Sequence, residues 1–266
     1  MSGPRPAGRG SLTFLGVGDG WASEGRHHSA FVHRLGETAL LVDCGEPVGR
    51  NLKAHGFGPD DIDAILLSHL HFDHLGGLFM LLQGYWLEPR RRPLTVYLPQ
   101  EGIEPIRTML SAGYIFPDLL EFGLRLEPLS DRVPISVEEV RITPVRNSHL
   151  ESLRRRFQAI HPHPFDSFSF LLDAPAGRVA HTADLGALAD LEPLLPSPVD
   201  LMVCELGHLD PTEVFARLGA AQAERIVFHH LSRAQWAQRE ALAAQAAREL
   251  PGRNVLLARE GEVIEW

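Results

Sequence analysis

Leu66-Leu67-Ser68-His69-Leu70-His71-Phe72-Asp73-His74-Leu75-Gly76-Gly77 sets three histidines and one aspartate within six residues. It continues an apolar run, Ala64 to Leu67, that reads as a buried strand. In extended backbone, residues two apart point to the same side. His69 and His71 therefore project together from the strand end. The chain has to turn before the helical pattern that begins at Leu75, so Asp73 and His74 come from a loop entering a helix. Two donors from a strand end and two from a turn can surround a pair of metal ions, and neutral imidazole and carboxylate are suitable donors. A polar loop with surface histidines would leave both the spacing and the strand-turn-helix context without a reason.

The bulk properties set limits around this stretch. The 266 residues are 44% hydrophobic and 22% charged, ordinary for a globular protein with a substantial core. The expectation is one domain over residues 1–266, with residues 1–10, rich in Gly, Pro and Arg, as a flexible leader rather than a signal peptide. A formal net charge of −9 weighs against a general nucleic-acid binder, which needs excess Lys and Arg for phosphate contacts. Bound divalent ions would reverse the sign of the field locally, so this balance constrains long polyanions more than a small anionic substrate. Cys44 and Cys204 stand alone in apolar strand-like runs and outside any ligand cluster. They read as buried free thiols, consistent with a reducing cytoplasm. No apolar stretch is long enough to span a membrane.

Strand and helix patterns alternate from Leu12 onward. Strands are expected at Leu12 to Leu15, Ala30 to Leu35, Thr38 to Val42, Thr95 to Leu98, Leu124 to Leu129, Val137 to Pro144, Phe168 to Asp173, Val179 to His181, Leu201 to Cys204 and Arg225 to Phe228. Helices are expected at Pro47 to His55, Gln100 to Ser111, Pro211 to Leu218 and Arg233 to Leu250, and Val255 to Leu257 with Glu262 to Trp266 reads as a closing hairpin. Two sheets with helices outside fit this order better than one doubly wound sheet.

A motif that binds two metals cannot complete both coordination shells alone, so further His or Asp should occur at later strand ends. His149, Asp184 and His230 each sit where an apolar run gives way to a loop. His69-Leu70-His71-Phe72-Asp73-His74 resembles the H-x-H-x-D-H signature of the metallo-β-lactamase fold, and His149, Asp184 and His230 follow in that family's order of ligands. The resemblance covers nearly the whole chain and implies an α/β fold, the αββα four-layer sandwich, with a dinuclear site between two sheets. By that likeness His69, His71 and His149 hold one metal, Asp73, His74 and His230 hold the other, and Asp184 bridges them. His161 and His163 compete with His149 as the fifth ligand; adjacent His229 points away from His230 on a strand; His181 is off the ligand register. Asp43 resembles the family's buried aspartate that supports the motif loop, a role a strand-end cap would also explain.

Two divalent ions about 3.5–4 Å apart activate a shared water and favour hydrolysis of an ester, amide or phosphodiester. Thr143-Pro144 begins like the segment of thioester- and lactone-cleaving relatives and then departs from it. Together with Leu12 to Gly18, Leu41 to Gly45 and His230-Leu231-Ser232, this resembles the branch containing the tRNA 3′-processing endoribonuclease Z and the phosphodiesterase of phosphonate breakdown. That branch places a proton-donating histidine where Glu205-Leu206-Gly207-His208 lies, which implies His208 as general acid assisted by Glu205; Asp73 of the motif is the third candidate catalytic residue. His27-His28-Ser29 is a candidate for the cleft mouth, Arg154-Arg155-Arg156 reads first as a solvated face and second as a phosphate-recruiting lid, and Arg90-Arg91-Arg92 reads as a helix C-terminal complement. The expected cofactors are two divalent ions, zinc first, manganese or iron as alternatives. The expected partner is a small phosphodiester-type substrate, with nucleic acid second, no membrane, and a homodimer considered. A lactonase, thioesterase or β-lactam-type hydrolase, a tRNA endonuclease and a non-hydrolytic metal or redox module are the alternatives.

Overall fold

The computed structural model describes residues 10–266. The leader expected over 1–10 lies outside the described residues except for Gly10, which already pairs in the first strand. In chain order the elements are β1 (Gly10–Gly16), β2 (Ala30–Leu35), β3 (Thr38–Val42), α1 (Val48–Ala54), β4 (Ala64–Leu66), α2 (Phe72–Leu75), α3 (Leu78–Leu87), β5 (Leu94–Leu98), α4 (Ile103–Ala112), β6 (Leu124–Pro128), β7 (Ile135–Val137), β8 (Val140–Arg146) and α5 (Glu151–Phe157). They continue with β9 (Phe168–Ala174), β10 (Gly177–His181), β11 (Val199–Glu205), α6 (Pro211–Leu218), β12 (Ala223–His229), α7 (Arg233–Ala237), α8 (Arg239–Glu249), β13 (Asn254–Leu257) and β14 (Val263–Glu265).

Two seven-stranded sheets form, in the orders β14-β1-β2-β3-β4-β5-β6 and β13-β12-β11-β10-β9-β8-β7. Alternation along each strand sorts its side chains. Leu40 and Val42 of β3, with Phe14, Phe170 and Val203, fill the layer between the sheets. Ala39 and Leu41 point outward to Leu52 of α1, Leu81 of α3 and Ile106 of α4. On the far side, Met202, Ile226 and Phe228 pack on Phe215 of α6 and Ala246 of α8. Both faces of the central strands are thus covered, which is why they read as continuous apolar runs. The result is the expected αββα sandwich. Among the described residues no helix is long and apolar enough to cross a membrane.

Three local expectations differ. The strand expected from Val137 to Pro144 is a hairpin, β7 paired antiparallel to β8 through Val137 and Val140, with Glu138 at φ 48° in the turn. The helix expected from Arg233 to Leu250 breaks at Gln238, whose φ of −114° and ψ of 21° leave the helical region and divide it into α7 and α8. The expected closing hairpin does not pair with itself. β13 runs parallel to β12 in one sheet, while β14 is antiparallel to β1 in the other. Adjacent strand patterns in sequence say nothing about which sheet each joins.

Arg90 also departs from expectation. Rather than complementing a helix end, it is fully buried and donates to the carbonyls of Arg92, Pro59, Ile62 and Pro93 at 2.6–3.0 Å. The guanidinium fork satisfies several carbonyls that no secondary structure pairs. Arg90→Ala leaves them buried and unsatisfied, so we expect a loss of about 3 kcal/mol in urea denaturation, against a change within about 0.5 kcal/mol for exposed Arg91→Ala.

Candidate metal centre

All the candidate side chains leave one end of the sandwich. Asp43 follows β3, residues 68–74 follow β4, His149 follows β8, Asp184 follows β10, His208 follows β11 and His230 follows β12. The buried Asp43 carboxylate organises the first group. Its Oδ1 accepts from the Ser68 amide at 2.8 Å, and its Oδ2 accepts from Ser68 Oγ at 2.9 Å and lies 2.7 Å from His74 Nδ1. Ser68 Oγ also lies 3.0 Å from His69 Nδ1. Two imidazoles are thereby oriented from behind, leaving the opposite ring nitrogens to face the cleft. Gly45 permits this approach, since a Cβ there would overlap the Asp73 carbonyl oxygen. Asp73 and His74 sit within the single turn of α2 rather than on the loop before it.

The structure brings all seven candidate ligands together in two adjacent groups. His69 Nε2 and His149 Nε2 lie 3.1 and 3.3 Å from His71 Nδ1. Asp73, His74, Asp184 and His230 form the second group, their donor atoms all within 4.8 Å of one another. Asp184 Oδ2 is 3.3 Å from His74 Nε2, 3.5 Å from His230 Nε2 and 3.8 Å from His149 Nε2, so it touches both groups. Donors bound at 2.0–2.1 Å around a tetrahedral zinc sit about 3.3 Å apart, which the imidazole spacings match. His74 Nε2 and Asp184 Oδ1 are buried without a hydrogen-bond partner, and a shared cation would satisfy both. The residues present therefore fit divalent metal.

The electrostatics of the two groups differ. Burial holds His69 and His71 below the ordinary imidazole range and His149 at about 4, so all three offer free lone pairs. Burial opposes charge on His74 and His230 as well, but Asp184 with Asp43 or Asp73 overcomes it, and His230 is lifted to about 9. The protein atoms alone meet the charge of two buried carboxylates with protons, and a cation that takes their place releases those protons.

His208 lies beside both groups. Burial disfavours its charged form, yet the Glu205 hydrogen bond and the Asp184 charge raise its pKa above the ordinary value. Its Nδ1 is 3.2 Å from Glu205 Oε1, and its ring stacks on His230 with centroids 5.2 Å apart. Glu205 is fully buried and also accepts the amide of Leu185, next to Asp184.

His161 and His163 are exposed and outside these groups. His181 and His229 pack with His33 and Phe31 in a fully buried layer between the sheets. Burial keeps His33 and His229 neutral down to about 3. Arg154 and Arg155 are tied to Glu151 within α5. The sequence reading missed Asp190, which accepts from the Ser148 amide and hydroxyl and from the Gly186 and Ala187 amides at 2.8–3.1 Å. It clasps the loop before His149 to the loop after Asp184, and only the fold brings those loops to one carboxylate.

Asp43→Ala removes the acceptor behind His74 and Ser68. We expect a 10–100-fold loss of zinc affinity in competition with a chromophoric chelator. Unchanged affinity would show that Asp43 does not orient the ligands.

Residues 10–204 match the family model described as Anti-Pycsar protein Apyc1. Ribonuclease Z of Archaeoglobus fulgidus is 32% identical over 140 residues, 52% of this chain and 44% of that protein. Ribonuclease Z of Pseudomonas putida is 34% identical over 156 residues, 58% of this chain and 48% of that protein. The aligned stretch thus spans less than half the length of either relative. Among solved structures, the metallo-β-lactamase fold protein YhfI from Bacillus subtilis superposes with a TM-score of 0.77 at 19% identity, covering 96% of this chain and 99% of that one. Human short-form tRNase Z gives 0.72 at 22% identity, with 96% and 98% covered. A diphosphatase of the PhnP family gives 0.69 at 16% identity, with 97% and 98% covered. The match over most of the chain shows the family: the chain belongs to the Anti-Pycsar protein Apyc1 family, and it has the metallo-β-lactamase fold.

Proposed function

We propose that this protein is a dinuclear-metal phosphodiesterase acting on a small or nucleotide-like substrate. The observation that carries this reading is the position of Asp184 Oδ2, within 3.8 Å of ring nitrogens from both ligand groups and of His208 Nδ1. One carboxylate shared between two ligand sets suits a pair of cations, and a histidine at the same oxygen suits proton transfer at the bond being broken.

When bound, the metal pair supplies Lewis-acid stabilisation of phosphoryl oxygens and a water more acidic than bulk water. The protein's share is positional. Asp43 and Ser68 fix the rings of His74 and His69, and Asp190 fixes the loops of His149 and Asp184. With Nδ1 of His208 engaged by Glu205, Nε2 remains to give its proton to the departing alkoxide, while Glu205 holds the ring in place. No separate protein nucleophile is required. Zinc is the preferred ion for this donor set, with manganese and iron as alternatives. The two buried free thiols support a reducing, cytoplasmic setting.

A second reading, a tRNA-processing-type endonuclease, is favoured by the similarity to ribonuclease Z. The acidic balance does not by itself disfavour it, since the contacts that matter are local to the cleft.

Metal analysis of the reconstituted protein, with turnover of bis(p-nitrophenyl) phosphate, a lactone panel and a tRNA precursor carrying a 3′ trailer, tests these readings. Close to two ions per chain and phosphodiester turnover are expected. His208→Ala, with its metals retained, should lose about 100-fold or more in kcat on a substrate with an alkoxide leaving group and much less on bis(p-nitrophenyl) phosphate, whose phenolate departs without a proton. Activity on lactones alone overturns the phosphodiesterase reading, and cleavage confined to the tRNA precursor selects the second one. Failure to take up metal overturns the dinuclear assignment.

A further inference from the structure

His208 and His230 follow the neighbouring parallel strands β11 and β12, and their rings stack with centroids 5.2 Å apart. The backbone ladder between those strands stops short of both. Its last bond runs from Leu206 N to the His229 carbonyl at 3.1 Å, and His230 then turns away at φ 52°. Among the described residues no backbone amide donates to the Leu206 carbonyl. Within its own turn His208 is held by Glu205, with Nδ1 3.2 Å from Oε1 and the amide donating to Oε2 at 3.1 Å. Those bonds shape the turn. With 38% of the His208 side chain exposed, packing adds little to fix its place over His230.

One side chain spans the gap. Gln235, in α7, accepts the Ser232 amide on Oε1 at 2.8 Å and donates from Nε2 to the Leu206 carbonyl at 2.7 Å. Ser232 stands two residues after His230, and its hydroxyl accepts the Gln235 amide at 3.3 Å. A single carboxamide thus joins the segment that carries His230 to the turn that carries His208. One of its partners is a donor and the other an acceptor, so only an amide in this orientation serves both. Close packing backs the bridge. A Cβ on Gly207 would lie 2.4 Å from the His230 carbonyl oxygen and 3.1 Å from His230 Nδ1, so the two segments meet at a position that has no room for a side chain.

We propose that Gln235 is a positioning residue for proton transfer: through the Leu206 carbonyl it sets the reach of His208 Nε2 without touching the substrate. The consequence for turnover rests on the phosphodiesterase reading, and the bridge rests on these hydrogen bonds. When a P–O bond to an alkoxide breaks, the departing oxygen takes the bonding pair and the proton of His208 Nε2, a transfer that needs the two atoms within hydrogen-bond reach. A turn that shifts by about 1 Å loses much of that advantage. A nitrophenolate departs without the proton and does not feel the shift.

Gln235→Glu separates the two jobs of the amide. It keeps an oxygen for the Ser232 amide and replaces the donor to Leu206 with an oxygen that the carbonyl repels. The test uses the full-length, zinc-loaded protein and two diesters, the thymidine dinucleotide TpT, whose leaving group is an alkoxide, and the p-nitrophenyl ester of thymidine 5′-monophosphate. In Gln235→Glu, kcat should fall about tenfold on the dinucleotide and stay within about twofold on the nitrophenyl ester, with KM and zinc content unchanged. In a His208→Ala background the same substitution should cost nothing further on the dinucleotide. Without any substrate, hydrogen exchange followed by mass spectrometry should speed up about tenfold in residues 206–209 and not in β11. Equal loss on both diesters, or wild-type kcat on both, overturns the positioning role, the first in favour of an effect on the metal centre and the second in favour of a helix cap alone. Faster exchange in a protein that turns over neither diester sinks the phosphodiesterase reading and upholds the bridge. Unchanged exchange overturns the bridge.

Discussion

The buried Asp43 carboxylate is the contact on which the site depends. Fully enclosed, it would be strongly unfavourable alone, and its hydrogen bonds to the Ser68 amide, the Ser68 hydroxyl and His74 Nδ1 offset that cost. Burial raises its pKa while His74 and Ser68 pull it back down. The same three bonds dock the end of β3 against the loop after β4 and turn two imidazoles toward the cleft. Structural and chemical roles coincide in one side chain. Asp190 does the equivalent for the other sheet, where the loops after β8 and β10 share its carboxylate.

Around these clasps the backbone takes uncommon conformations. Asp43, Ala183 and His230 adopt φ of 60°, 50° and 52° at or beside the ends of β3, β10 and β12. Left-handed backbone at residues other than glycine costs about 1–3 kcal/mol each and persists only where the surroundings over-determine it. Here the surroundings include Asp43 N to the Leu66 carbonyl at 2.8 Å and His230 N to the Val17 carbonyl at 3.1 Å. These kinks redirect the chain at strand ends, so that donors from two sheets converge between them. Convergence also separates the imidazoles by charge, His69, His71 and His149 being neutral while His74 and His230 answer Asp73 and Asp184.

Much of this was legible in the residues. The H-x-H-x-D-H spacing, His149, Asp184 and His230 at strand ends, and the preference for His230 over His229 all match what the fold gathers. Local periodicity worked because buried strands and amphipathic helices write their faces into neighbouring positions. It failed where two local patterns meet, as in the split of Val137 to Arg146 into β7 and β8 and the break at Gln238. It failed too for Arg90, whose four carbonyl partners are set by a loop folding back upon it.

With the family resemblance supplying His149, Asp184 and His230 as its candidate partners, the sequence by itself determined the donor chemistry of the H-x-H-x-D-H stretch and the layered class of the fold. Those are properties of residue type and of spacings shorter than a single element. Only the tertiary structure decided that β13 and β14 part to different sheets, that Asp190 clasps two ligand loops, and that Gln235 joins the His208 turn to the His230 segment. Each of these joins residues tens to hundreds of positions apart or depends on which sheet edge a strand finds. Hydrophobic burial across the whole chain makes that choice, and no local pattern encodes it.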